Sequence, residues 1–168
     1  MSIVVMANLV SMVGCVLMVA VGFLQKKRQI LLVQCVQFAI QGAAHLLLGA
    51  STGFVSSIVG IVRNLVFVRK ENTGVLKLLF VLVQVAISLY VGVNGVVDWF
   101  PIIATVLFTW CLDTKSEVRL KLVMILAQFT WLVYDYVYMN YAACVFDCLT
   151  ILSNGIGIGM ILWKNRKV

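Results

Sequence analysis

Residues 53–72 read GFVSSIVGIVRNLVFVRKEN, an apolar run that ends in a charged cluster. The run predicts a membrane-spanning helix over about residues 53–68, closed by the polar residues 69–72. Ser57, Arg63 and Asn64 interrupt it, and polar side chains at membrane depth normally face other helices or a cavity. This stretch therefore predicts both a span and a polar interior, and the rest of the chain repeats its pattern.

The composition excludes a water-soluble domain. The chain has 168 residues, of which 63% are hydrophobic and only 11% charged, and its mean hydropathy is +1.09. Soluble domains have roughly 45–50% apolar and about 25% charged residues. A span takes about 20 residues, or about 24 with a short connection, so at most seven spans fit. No room remains for an extramembrane domain, so any function must lie between the helices.

Polar and basic residues divide the apolar runs into seven predicted helices. Their ranges are about 3–23, 29–48, 53–68, 75–92, 98–111, 117–137 and 142–163. Pro101 falls in the first turn of the fifth helix, where a missing backbone N–H costs nothing. The predicted fold class is an all-α integral membrane protein with seven transmembrane helices.

The positive charges predict the orientation. The net charge is +7, and twelve of the 13 Lys and Arg residues follow the odd-numbered helices in four groups of three. The groups are Lys26, Lys27 and Arg28; Arg69, Lys70 and Lys77; Lys115, Arg119 and Lys121; and Lys164, Arg166 and Lys167. Because basic loops stay in the cytoplasm, the N-terminus is predicted outside and the C-terminus inside.

An internal repeat emerges when the chain is shifted by 90 residues. The aligned polar residues are His45 with Asp135, Ser57 with Asp147, and Asn64 with Asn154. Within each third helix the two polar residues are seven apart and therefore share a helix face. We interpret residues 1–72 and 97–168 as parallel three-helix repeats of one compact membrane domain, joined by an inverting linker helix in residues 73–96.

Two stretches resemble a known family: Gly53 to Phe67, GFVSSIVGIVRNLVF, and Trp99 to Leu112, WFPIIATVLFTWCL. They resemble YgjV-like bacterial inner-membrane proteins, which are distantly similar to SWEET and PnuC transporters. The three-plus-one-plus-three arrangement also resembles SWEET transporters, whose repeats are parallel. The resemblance implies an inner-membrane location and that Asn64 and Asn154 hold the solute in a central cavity. The Pro-Gln dipeptide of SWEET transporters is missing, so a vitamin-like, nucleoside-like or anionic solute is expected rather than a sugar.

The first predicted helix carries Asn8, Ser11 and Cys15 along one face. Polar residues from four further predicted helices are the candidate substrate-binding set. They are Asn64, Asn154, Arg63, Gln37, Gln41, Gln128, Trp131, Ser57 and Asp147, with Gln34 in the same stripe as Gln37 and Gln41. Hydrogen bonds that only join helices are the simpler interpretation of any one of them. Convergence from five helices favours a lined cavity. His45 and Asp135, near the outer end, are either interfacial packing residues or a gating or proton-linked pair.

Arg63 leaves three alternatives open. Its guanidinium either snorkels to the cytoplasmic interface, pairs with a buried carboxylate such as Asp147, or contacts a substrate anion. The aromatic residues near the end of the sixth helix are predicted to form mostly an interfacial belt, with Trp131 deeper and able to stack on a ring-bearing ligand. The belt comprises Tyr134, Tyr136, Tyr138 and Tyr141.

No motif predicts catalysis, a cofactor or a metal. The chain has one histidine, and its five cysteines form no CxxC pair, which disfavours a zinc site or a disulfide framework. An intramembrane hydrolase built on Ser57, His45 and Asp135 is a minor alternative. We predict a non-enzymatic transporter that moves a small polar solute by alternating access, or else a membrane scaffold. The predicted partners are that solute and the lipid bilayer, without nucleic acid, and a homo-oligomer is left open.

Overall fold

The computed structural model describes residues 2–21, 23–24, 26–69, 73–111 and 116–166. Within these ranges the chain forms seven α-helices and one short 3-10 helix, Val96–Asp98. The α-helices are α1 (Ile3–Val21), α2 (Lys27–Leu47), α3 (Ser51–Arg69), α4 (Gly74–Val91), α5 (Trp99–Cys111), α6 (Glu117–Val137) and α7 (Tyr141–Arg166). The all-helical prediction is confirmed, and each helix begins and ends within three residues of its predicted bounds.

Six of the helices are long and apolar enough to cross a membrane, and α5 is the exception. It has 13 residues, which at 1.5 Å per residue span about 20 Å, against a hydrocarbon thickness of about 30 Å. The preceding 3-10 helix lengthens the apolar segment to Val96–Cys111. Pro101 lies in the first turn of α5, the position that its missing N–H favours, and it is buried there.

Side-chain caps explain where two helices begin. The Thr73 hydroxyl accepts a hydrogen bond from Leu76 N, and the Ser116 hydroxyl accepts one from Arg119 N, both at 3.3 Å. Each cap satisfies a backbone donor that the first turn of a helix leaves free. The caps set the starts of α4 and α6.

Six helices close into a ring in the order α1, α2, α3, α5, α6 and α7, with α7 packed against α1. Helix α4 packs outside this ring on α3 and α5. Gln84 of α4 donates hydrogen bonds to Ser56 Oγ of α3 at 2.7 Å and to Ser88 Oγ of its own helix at 3.1 Å. The linker helix is therefore peripheral, and the interior belongs to the other six.

The 90-residue offset also relates the helix bounds and the turns. Helix α2 covers residues 27–47 and α6 covers 117–137, and α3 and α7 begin at residues 51 and 141. Gly49 and Met139 both adopt positive φ, at 70° and 60°. The matching turn bonds run from Ala50 N to His45 O and from Asn140 N to Asp135 O, both at 2.9 Å. Both hairpins thus use the same turn at corresponding positions.

Corresponding contacts also join the two halves. Asn8 Oδ1 of α1 accepts a hydrogen bond from Ala142 N at the start of α7, at 2.8 Å. At the positions 90 residues away, Asp98 Oδ1 accepts one from Thr52 Oγ1 at 3.3 Å. Each half therefore begins with a side chain that binds the third helix of the other half.

An apolar cluster fills the ring at the end where α1, α3 and α5 terminate. We call this the basic end because Arg69, Arg119 and Lys164 lie at the helix ends there. The buried members are Val21, Ile30, Leu31, Phe67, Phe108, Leu120 and Met124. They come from five of the six ring helices, so they pack the two halves against each other. The other end of the ring, near His45 and Asp135, is called the opposite end.

Candidate functional site

A central cavity lies inside the ring, and the centre of a water-sized molecule can occupy about 70 Å³ of it. All six ring helices contribute to its wall, and α4 does not. The lining residues are Met18, Val21, Gln34, Gln37, Phe38, Gln41, His45, Ser57, Arg63, Ala104, Thr105, Phe108, Met124, Ala127, Gln128, Trp131, Asp135, Asp147 and Thr150. The cavity runs from the apolar cluster at the basic end to His45 and Asp135 at the opposite end.

Arg63 lies in the cavity wall with only 1% of its surface exposed. Its Nη1 donates to Thr109 Oγ1 at 3.0 Å, and its Nε and Nη2 donate to Asn64 Oδ1 at 3.1 and 2.9 Å. The guanidinium carbon is 4.8 Å from the centre of the Phe108 ring. Among the described residues no carboxylate lies within 4.0 Å of the guanidinium. Arg63 therefore neither snorkels to the interface nor pairs with Asp147.

Asn64 lies behind the cavity wall rather than in it. Its Oδ1 accepts both Arg63 bonds, and its Nδ2 donates to Gln34 Oε1 at 3.2 Å and to Leu31 O at 3.3 Å. These contacts direct the amide toward α2. Asn64 was expected to line the cavity, but it lies behind Arg63 and Gln34 and binds both of these lining side chains.

Asn154 is also buried outside the cavity lining. Its Nδ2 donates to Thr150 O of its own helix at 2.9 Å, and its Oδ1 has no hydrogen-bond partner. The two asparagines occupy corresponding positions, yet only Asn64 joins helices. The expectation that both asparagines face the cavity does not match their positions, because neither is among the residues that line it.

Gln34, Gln37 and Gln41, three amides of α2, line the cavity. Gln41 accepts a hydrogen bond from Ser11 Oγ at 2.7 Å and donates one to Cys15 Sγ at 2.9 Å. Gln37 lines the same wall, and its side chain makes no hydrogen bond within the described part of the chain. Gln41 is consequently held in place by α1, whereas Gln37 keeps its donors and its acceptor available to a solute.

Asp147 of α7 also lies in the wall, with 1% of its surface exposed. Gln128 of α6 donates a hydrogen bond from Nε2 to Asp147 Oδ1 and is 3.4 Å from Met18 Sδ. Asp147 Oδ2 is buried and accepts no hydrogen bond from any described residue. The carboxylate is therefore fixed by one amide while one of its acceptor atoms remains unused.

His45 and Asp135 are joined directly at the opposite end. His45 Nε2 is hydrogen-bonded to Asp135 Oδ1 at 2.9 Å, and Asn140 Nδ2 donates to the same oxygen at 2.9 Å. The His45 ring stacks on Trp131, with 5.4 Å between the ring centres. The pair that the sequence suggested for gating thus connects α2 to α6 beside the cavity.

Tyr134 has a role that the sequence interpretation missed when it assigned the residue to an aromatic belt. Its hydroxyl accepts a hydrogen bond from Gly53 N at 2.8 Å and lies 3.0 Å from Thr52 Oγ1. Tyr138 donates to Asp98 Oδ1 at 2.6 Å. Burial and the bond to Asp98 raise the pKa of Tyr138 to about 12, so it remains a donor at neutral pH. The clue in the sequence was Gly53, whose missing side chain allows Tyr134 to approach.

Ser57 lines the cavity, but its Oγ donates to Gly53 O of its own helix at 2.9 Å. His45 is engaged by Asp135 instead. The hydrogen bonds that a hydrolase built on Ser57, His45 and Asp135 would require are therefore incomplete, because serine and histidine are not bonded to each other.

A ring of apolar helices around a buried polar cavity defines a multi-pass helical membrane protein with a polar interior. The chain matches the family model Imp-YgjV, described as bacterial inner membrane protein, over residues 5–164, and it belongs to that family. It is therefore a multi-pass protein of the bacterial inner membrane. No match was found among curated proteins or among solved structures, and the relation to SWEET and PnuC transporters stays a prediction.

Proposed function

We propose that the protein transports a small polar solute across the inner membrane by alternating access. The observation that carries this proposal is the cavity, to which both groups of three helices, α1–α3 and α5–α7, contribute while α4 stays outside. Two symmetry-related bundles around a shared polar site are typical of transporters whose halves rock against each other. In this proposal α4 is a linker and the chain is not an enzyme.

The contacts at the two ends of the cavity support a gating role for each end. At the basic end the apolar cluster joins α1, α2 and α3 to α5 and α6. At the opposite end the hydrogen bond between His45 and Asp135 joins α2 to α6. Breaking one set of contacts while keeping the other would open the cavity to one side at a time.

The proposal includes seven spans, with α5 as the fifth, and a cytoplasmic basic end. The distribution of Lys and Arg supports this orientation through the positive-inside rule. The N-terminus is then external and the C-terminus cytoplasmic. Substrate therefore moves between an external opening near Asp135 and a cytoplasmic opening near Phe108.

Access to the cavity can be measured without knowing the solute. In a chain whose five native cysteines are replaced by serine, Gln37→Cys places a thiol in the wall. We expect a membrane-impermeant maleimide to label it from either side of oriented vesicles. The matched control is Val36→Cys, because Val36 is 54% exposed on the lipid-facing surface and should resist labelling. Labelling of Gln37→Cys from neither side would favour a scaffold, and labelling from one side only would indicate a fixed pocket; either result contradicts the proposal.

Transport itself is tested with a pair of neighbouring substitutions. Ala127→Phe fills part of the cavity, whereas Leu126→Phe adds the same ring on the outer surface, where Leu126 is 58% exposed. Solutes that raise the melting temperature of the purified protein are selected from a panel of small polar compounds and measured for uptake into proteoliposomes. We expect Ala127→Phe to abolish uptake and Leu126→Phe to retain it. Equal uptake by both variants would place the pathway elsewhere.

A further inference from the structure

We propose that the transported solute is a small zwitterion whose anionic group binds Arg63 and whose ammonium group binds Asp147. This inference rests on the proposed transport function and names the substrate class for the same cavity. It is carried by two buried side chains, one basic and one acidic, that line one cavity and form no ion pair in the described part of the chain.

Within the described part of the chain, Arg63 has only neutral partners. Its guanidinium is held by Thr109, Asn64 and the ring of Phe108, and these leave its charge without a counter-ion. Burying a charge without a partner of opposite sign is costly. The planar guanidinium fork matches carboxylate or phosphate oxygens, and an anionic group in the cavity would supply the missing charge.

Asp147 is the acidic counterpart of Arg63 in the cavity wall. Gln128 donates to its Oδ1, and its buried Oδ2 accepts no hydrogen bond. A solute with only a negative charge would satisfy Arg63 and leave Asp147 without a counter-charge. A solute with only a positive charge would do the reverse. A zwitterion is neutral overall and provides one partner for each side chain.

The positions of the two charges fit a solute that contacts both halves of the protein. Arg63 lies on α3 and Asp147 on α7, which are the corresponding third helices of the two halves. The same cavity wall offers Gln37, whose amide makes no hydrogen bond among the described residues. A bound zwitterion would thus connect the halves through the charges at its two ends.

Asp135 is not the ammonium partner in this proposal. Its Oδ1 is already shared by His45 Nε2 and Asn140 Nδ2, both at 2.9 Å. The carboxylate that keeps an unpaired buried oxygen in the cavity wall is Asp147. This difference assigns binding to Asp147 and contact between the halves to Asp135.

Binding of matched probes to the purified full-length protein tests the proposal. The zwitterions are glycine, 4-aminobutyrate and 6-aminohexanoate, and the single-charge analogues are acetate, butyrate, hexanoate and the amines of the same lengths. We expect at least one zwitterion to bind with a Kd about tenfold or more below both of its analogues, the effect of adding one charged hydrogen bond. Isothermal calorimetry gives the Kd values.

Two variants assign the charges. Arg63→Gln and Asp147→Asn should each weaken binding of the zwitterion by about tenfold or more. In Arg63→Gln the zwitterion should bind no more tightly than the amine, and in Asp147→Asn no more tightly than the carboxylate. Arg63→Lys keeps the charge and should bind more tightly than Arg63→Gln. If Arg63→Gln does not fold, as judged by gel filtration, Arg63→Lys and Asp147→Asn complete the test.

Each alternative result identifies the error. A simple carboxylate that binds as tightly as its zwitterion would overturn the ammonium assignment. If Asp147→Asn binds the zwitterion as tightly as the parent but its uptake no longer depends on a pH gradient, the ammonium assignment is wrong and Asp147 carries a proton instead. If no probe binds while Gln37→Cys is labelled from both sides, the substrate class is wrong and the transport proposal stands. If no probe binds and Gln37→Cys is labelled from neither side, both proposals fail.

Discussion

His45 and Asp135 are 90 residues apart in the sequence, occupy corresponding positions in the two halves, and are hydrogen-bonded to each other at 2.9 Å. Two positions related by a twofold rotation come into contact only when both lie next to the rotation axis. The 90-residue offset predicts a twofold relation between the halves, and in that prediction the axis passes close to this bond at the opposite end of the ring. In the transport cycle that we propose, movement of one half against the other would break or form this bond.

Asp135→Asn should loosen the contact between the halves. The substitution removes the carboxylate charge while keeping the size of the side chain, so the bond to His45 weakens. We expect the free energy of unfolding to fall by about 1–2 kcal/mol, the upper range for interhelical hydrogen bonds in membranes. Maleimide labelling of Ser57→Cys from the outer side should rise several-fold. Tyr136→Phe is the control, since Tyr136 is 67% exposed; labelling unchanged in Asp135→Asn would show that the pair is not a gate.

Gly53→Ala should destabilise the packing of α3 against α6. A Cβ atom at this position would lie 2.7 Å from Tyr134 Cε1 and 3.1 Å from His45 Cγ, closer than van der Waals contact allows. Overpacking of this kind costs about 1–3 kcal/mol. Thermal unfolding in detergent measures the effect. Gly155→Ala, where no atom lies within 4 Å, should leave the melting temperature equal or higher, and a similar loss in both variants would argue against the close contact.

The two asparagines should differ in their importance for stability. Asn64→Leu removes the acceptor for two Arg63 donors and the donor to Gln34, whereas Asn154→Leu removes one bond within α7 and an unpartnered oxygen. Leaving buried polar groups without partners costs about 1–3 kcal/mol, and more for a charged group. We therefore expect Asn64→Leu to lower the free energy of unfolding by about 2 kcal/mol more than Asn154→Leu. Denaturant titrations that find equal losses would contradict this asymmetry.

Reporter fusions test the topology and the crossing of α5 together. A reporter fused after Asn94 should read external, and one fused after Ser116 should read cytoplasmic, because the segment Val96–Cys111 lies between them. A fusion after Val168 should read cytoplasmic and one before Met1 external. If Asn94 and Ser116 report the same side, α5 does not cross, and the seven-span arrangement is wrong.

The helices and the 90-residue offset could be predicted from the sequence because both depend on patterns along the chain. Apolar runs between polar residues locate spans, as the predicted range 117–137 for α6 illustrates. The aligned polar residues His45 and Asp135 needed only the sequence, although the bond between them did not follow from it. Family membership also could be recognised from short stretches such as Gly53 to Phe67.

The rotation of each helix about its axis could not be predicted, and it decides which residues form the site. Consecutive residues point about 100° apart on a helix, so either Arg63 or its neighbour Asn64 could have faced the interior. Packing between helices determines which of the two faces the interior. The ring of Phe38 lies 2.9 Å from the position that a Cβ of Gly60 would occupy, and this close contact fixes how α3 packs on α2. The sequence by itself thus determined the helices, the 90-residue offset between their polar residues and which polar residues each helix carries. Only the tertiary structure placed Arg63 in the cavity wall and Asn64 behind it, because side-chain direction depends on contacts between helices.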